Sequence, residues 1–186
     1  MFEELDPELK SVAFETKSGT LAVERGRDGN HSMSLPSDNV VPLAEASDLP
    51  ARIGEALGTS PPIELHRGRN ILALFEDVGA VRAIKGPGEV GQLIPCDKGL
   101  IATARGDAGY DFISRYFAPH HGVPEDPVTG SAHCALTPYW SRRLGKTTLR
   151  ARQESARGGT LLCTDAGART ILSGPCALYL RGEIEV

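Results

Sequence analysis

The stretch Gly122-Val123-Pro124-Glu125-Asp126-Pro127-Val128-Thr129-Gly130-Ser131-Ala132-His133 reads as a stiff approach feeding the start of a helix. Pro124 and Pro127 restrict the backbone on the way in. Thr129 or Ser131 can cap the helix, since either hydroxyl can accept a free backbone N–H. Gly130 lets a ligand come close to the main chain. Downstream, Ala132, Leu136, Tyr139 and Trp140 share one helical face. The helix is therefore expected from near Ser131 to near Leu144, ending before Gly145. Pro138 lies inside it, removes one backbone hydrogen bond, and should kink or split it. The first amides of a helix are unpaired and sit at the positive end of its dipole, so a carboxylate or oxyanion is their natural ligand. Asp126 could hold a substrate amine or hydroxyl or relay a proton. It could also be a turn residue or a helix-dipole partner. A histidine at position 133, beside an apolar stripe, is more often structural than functional.

Working outward, most of the chain reads as strands. Val12–Thr16 and Thr20–Arg25 are alternating runs joined at Lys17-Ser18-Gly19, a hairpin in which Gly19 can take a positive φ. His31–Leu35 is a third strand stopped by Pro36, and Pro36–Ala46 reads as a loop. A helix is expected over Leu49–Leu57, with Ser47 as N-cap, Pro50 in the first turn and Gly58 as terminator. Further strand-like runs are Ile63–His66, Asn70–Phe75, Val78–Ile84, Leu100–Ala104, Asp111–Phe117, Thr148–Arg152, Thr160–Thr164, Arg169–Leu172 and Ala177–Val186. The glycine-rich Gly86–Leu93 can hold a short helix. Strands do not alternate regularly with long helices, which argues for a β-rich α+β fold and against a doubly wound parallel sheet.

The formal net charge is −4, and lysines and arginines are scattered, so no basic patch suits a nucleic acid. No apolar run approaches the ~20 residues of a membrane span, and the acidic Met1–Lys10 lacks a signal-peptide core. Cys96, Cys134, Cys163 and Cys176 are far apart, which suits a reduced, cytoplasmic setting and no zinc site. Two rival chemistries are weak. His120, His121, Glu125 and His133 lack metal-ligand spacing. Cys134 or Ser131 as a nucleophile lacks the sequence setting such residues need.

Arg115-Tyr116-Phe117-Ala118-Pro119, Glu125–His133, Pro138-Tyr139-Trp140 and Gln153-Glu154-Ser155-Ala156-Arg157-Gly158-Gly159 together resemble the phenazine-biosynthesis PhzF-like isomerase family. Phe14-Glu15-Thr16-Lys17-Ser18-Gly19 resembles that family's F-x-T-x-S-G hairpin. The resemblance implies the diaminopimelate-epimerase-like fold, in which a curved, mostly antiparallel or mixed sheet wraps a central helix in each of two lobes. Residues 1–36 would be a remnant of the first lobe and 37–186 the second, with the last strand returning to the first lobe. It also implies a cofactor-independent proton shift on a small carboxylate-bearing substrate, in a homodimer. Carried over by motif, Asp126, Gly130 and Ser131 contact substrate, Thr129 and His133 complete the set, and Asp126 is the catalytic candidate. Related epimerases carry a cysteine where this chain has Thr129, so a two-cysteine racemase mechanism does not fit. The family's catalytic glutamate and Gly-His motif lie at the first central helix, and the resemblance places Met1 where that helix should be ending. Impaired catalysis by these 186 residues alone is the expectation. A non-catalytic, self-assembling half-module is the alternative.

Overall fold

The structure, a computed structural model, describes residues 6, 8–17, 19–26, 29–43, 48–180 and 182. Among them, eleven strands form one large, curved, unclosed mixed sheet. In chain order the strands are β1 (Ser11–Thr16), β2 (Gly19–Arg25), β3 (His31–Pro36), β4 (Val41–Pro42), β5 (Glu64–Arg67), β6 (Ile71–Leu74), β7 (Leu100–Arg105), β8 (Phe112–Phe117), β9 (Thr148–Gln153), β10 (Gly159–Ala166) and β11 (Arg169–Gly174). Their order across the sheet is β1-β2-β3-β11-β10-β9-β8-β7-β6-β5-β4. Only β6–β7 and β8–β9 pair in parallel. The helices are α1 (Leu49–Leu57), α2 (Val78–Arg82) and α3 (Gly130–Leu144). The β-rich α+β expectation is therefore met.

Side-chain alternation along the strands divides the apolar residues into two cores. One surrounds α3: Phe112 and Tyr116 of β8, Leu149 and Ala151 of β9, and Leu161 and Cys163 of β10 pack against Ala132, Ala135, Leu136 and Trp140. The other lies on the opposite face, where Ile113 and Phe117 of β8 and Ala102 of β7 meet Ile53 and Leu57 of α1 and Val81 of α2. The sheet is thus sandwiched between the long helix and the two short ones, and α3 has most of its length buried.

The hairpin turn places Gly19 at φ 102°, as its sequence requires, while Ser18 lies outside the described residues. Helix α1 keeps the expected bounds and ends on a left-handed Gly58, with Asp48 at the N-cap position. Ser47, the expected cap, lies outside the described residues. Three expectations change. Val78–Arg82 is helical rather than extended, because the Asp77 side chain accepts from the Ala80 N–H at 2.9 Å and starts a turn there. The expected loop after β3 contains the two-residue edge strand β4, with Pro42 where no ladder donor is needed. The run from Ala177 forms no strand over Ala177–Leu180, and Pro175, without an N–H, follows the end of β11; Arg181 and 183–186 lie outside the described residues. The short helix read within Gly86–Leu93 is a 3-10 turn at Val90–Gln92.

Pro138 does not split α3. The Cys134 carbonyl, four residues earlier, loses its helical donor at the proline and accepts instead from the Asp38 N–H at 2.9 Å. The same Asp38 carboxylate accepts from the Arg69 N–H at 2.9 Å, tying the β3–β4 connection to the β5–β6 turn. The missing helical bond becomes the anchor for a loop.

Candidate active site

Helix α3 begins one residue before the expected start, with Thr129 at the N-cap position. Neither Thr129 nor Ser131 caps it. The Thr129 hydroxyl turns the other way and donates to Asp126 Oδ2 at 2.5 Å. Ser131 is exposed and Gly130 half-buried. Among the described residues no acceptor takes the Gly130 or Ser131 N–H. The helix therefore presents two free amides and an exposed hydroxyl at the positive end of its dipole. A Cβ on Gly130 would meet only Leu35 and Leu172 methyls at 3.8 and 3.9 Å, ordinary contact distances. Packing does not demand glycine there, so the reason for it has to be sought on the open side.

Asp126 is held beside this opening. Its N–H donates to Tyr116 O at 3.0 Å, and its carboxylate takes the Thr129 hydroxyl. Behind both sits Gln153, fully buried. Its Oε1 accepts from Thr129 N–H at 2.8 Å, and its Nε2 donates to Asp126 O at 2.7 Å and Thr129 Oγ1 at 3.1 Å. One amide thus reads both ends of the Asp126–Thr129 turn. The following Glu154–Gly159 segment closes over the loop: Ser155 Oγ donates to Pro127 O at 2.8 Å and accepts from Gly158 N–H at 2.9 Å. A Cβ on Gly159 would stand 2.4 Å from the Val128 Cγ2, so only glycine permits this approach. Gln153 is the positioning residue that motif reading left without a role. Its signal was a polar side chain at the end of the alternating run Thr148–Arg152.

The remaining candidates fall into place around the loop. His133 is fully buried beneath the first turn of α3, with Nδ1 2.7 Å from Thr129 O. Burial pushes its pKa down to about 4, so the ring is neutral near pH 7. Glu125 is engaged by Arg115 through two hydrogen bonds of 2.7 and 2.9 Å. Arg115 also donates to Ile84 O at the end of α2, so Glu125 serves to hold that junction. His120 bonds Gly91 O, and among the described residues no group of three or more potential ligands is gathered for a metal ion. Cys134 is buried, and burial pushes its thiol up to about 11, which removes it as a nucleophile. At the far end of α3, Glu64 is held down to about 2 by hydrogen bonds from Arg143, so it stays ionised and cannot act as an acid near neutral pH.

The family model described as phenazine biosynthesis-like protein matches residues 1–182. The chain belongs to this family. Two uncharacterized isomerases of Pseudomonas aeruginosa are 38% and 39% identical to it, each over all of this chain and 69% of the relative. The crystal structure of a PhzF-family phenazine biosynthesis protein from Enterococcus faecalis superposes with a TM-score of 0.87 at 33% identity, over all of this chain and 68% of that one. These likenesses support an isomerase-type function. No helix among the described residues is long and apolar enough to cross a membrane.

Proposed function

We propose that the α3 N-terminus binds the carboxylate of a small acid on which a cofactor-independent proton shift takes place. The free Gly130 and Ser131 amides carry this reading, with the Ser131 hydroxyl as a third donor. Asp126, oriented by Thr129 and Gln153, faces the substrate's amine or hydroxyl and is the candidate proton carrier. His133 contributes from behind, by bonding the Thr129 carbonyl that opens the helix. Moving a proton from one carbon to another needs a positioned group that takes the proton from the first and returns it to the second, held over the reacting face of the substrate. The described residues offer Asp126 on one side. The facing group comes from a second copy or another segment, so turnover by these residues alone is low. In this reading the substrate is a dihydroaromatic acid of the kind used in phenazine biosynthesis, handled in the cytoplasm.

Incubation of a dihydro-hydroxyanthranilate with the protein in D2O tests this by NMR. Deuterium entering the ring carbons, and a further fall in its rate in Asp126→Asn, supports the reading. An unchanged rate in that variant contradicts the role given to Asp126. A self-assembling, non-catalytic module is the second reading, favoured by the exposed Phe14, Leu178, Tyr179 and Leu180. A strictly monomeric species at micromolar concentration by light scattering counts against it.

A further inference from the structure

A row of buried polar residues runs beneath α3 across three neighbouring strands of the sheet. Thr103 of β7 pairs in register with Ser114 of β8, and Ser114 pairs with Gln153 of β9. Strand alternation puts Ser114 on the same face as Phe112 and Tyr116, the face that packs on α3. Thr103 is satisfied, since its hydroxyl donates to Ile113 O at 2.6 Å and accepts from Trp140 Nε1 at 3.0 Å. Gln153 is satisfied by Thr129 and Asp126. Between them, among the described residues, Ser114 Oγ and His133 Nε2 are buried with no hydrogen-bond partner.

The strand register and the contacts of α3 bring the two orphans to the same stretch of the interface between sheet and helix. His133 lies along α3 between Thr129, which touches Gln153, and Trp140, which touches Thr103. Its ring is 6.0 Å from that of Phe112, two residues before Ser114 on the same strand face. Their chemistry is complementary through a third party. The Thr129 carbonyl accepts only, so His133 Nδ1 carries the proton and Nε2 offers a lone pair. The Ser114 hydroxyl can donate or accept. Leaving a buried hydroxyl and a buried ring nitrogen both unmade costs more than immobilising a water that serves both.

We propose that Ser114 Oγ and His133 Nε2 share one buried water, which completes a continuous polar row from the Asp126 loop to Trp140. Ser114 is then a positioning residue for His133: through the water it holds the Nδ1–H tautomer that bonds the first turn of α3. This inference stands on packing and does not depend on the proposed substrate.

The test combines a crystal structure of the protein, urea unfolding of Ser114→Ala, and the ¹⁵N resonance of His133 Nε2. The expected results are density within hydrogen-bond distance of both atoms, a folding equilibrium constant lowered roughly five-fold in Ser114→Ala, and a shifted Nε2 resonance in that variant. Deleting an unpaired hydroxyl would instead leave stability equal or higher. That outcome, an empty site in the crystal, or an unmoved Nε2 resonance each overturns the proposal.

Discussion

Replacing Gln153 with leucine keeps the side-chain volume close and removes every polar contact behind the Asp126–Thr129 turn. The Thr129 N–H and the Asp126 carbonyl lose partners that stand at 2.8 and 2.7 Å. Thr129 is buried, so its amide bears most of the cost of an unmade hydrogen bond, about 1–3 kcal/mol. Asp126 is only half-buried and water recovers part of its share, leaving about 1 kcal/mol. The expected destabilisation is about 2–4 kcal/mol, less than the 5–15 kcal/mol of a typical domain, so the variant still folds. Urea unfolding should show a lower midpoint with an unchanged m-value. Gln153→Glu keeps the acceptor for Thr129 N–H, loses both donors, and brings a negative charge toward Asp126, so it should cost at least as much. A loss below about 0.5 kcal/mol in both variants, the range of neutral surface changes, would refute the clamp.

Acid stability should report His133. Its pKa is about 4 folded, against 6.5 for the free side chain, so its contribution is full above pH 6.5 and is lost as pH falls through that window. The loss should reach about 3 kcal/mol by pH 4, and a His133→Gln variant that folds should have a flatter profile between pH 7 and 4.5; equal slopes would contradict the burial argument. Alkylation counted by mass spectrometry should find two reactive thiols in the native protein, the exposed Cys96 and Cys176, and four after unfolding. Rapid native labelling of Cys134, whose thiol is pushed up to about 11, would contradict its placement.

Much of the architecture was legible in the sequence because the signals were strong and local. Glycines at 19, 58 and 145 take the positive φ their turns require. The apolar stripe Ala132–Leu136–Tyr139–Trp140 lies in the core around α3, although the helix is buried on every side from Ala132 to Ser141. The failures have local causes too. Val78-Gly79-Ala80-Val81 is too short for its period to distinguish strand from helix, and the deciding feature was the Asp77 cap. Proline at 138 carries its usual meaning, yet its consequence depended on Asp38, about a hundred residues earlier, supplying the donor. At the site, motif resemblance pointed to Asp126, Gly130 and Ser131. It could not tell that Thr129 spends its hydroxyl on Asp126 rather than on the helix, or that Gln153 reaches in from β9 to hold both. Those contacts join residues that only strand pairing brings together.

Titrating the ¹⁵N-labelled protein with anthranilate, a small aromatic carboxylate, tests the central claim most directly. The account predicts saturable shifts centred on the Gly130 and Ser131 amides, weakened in Ser131→Ala, with the amides at the start of α1 unmoved. Binding that leaves Gly130 and Ser131 unshifted, or no binding at millimolar ligand, would contradict it.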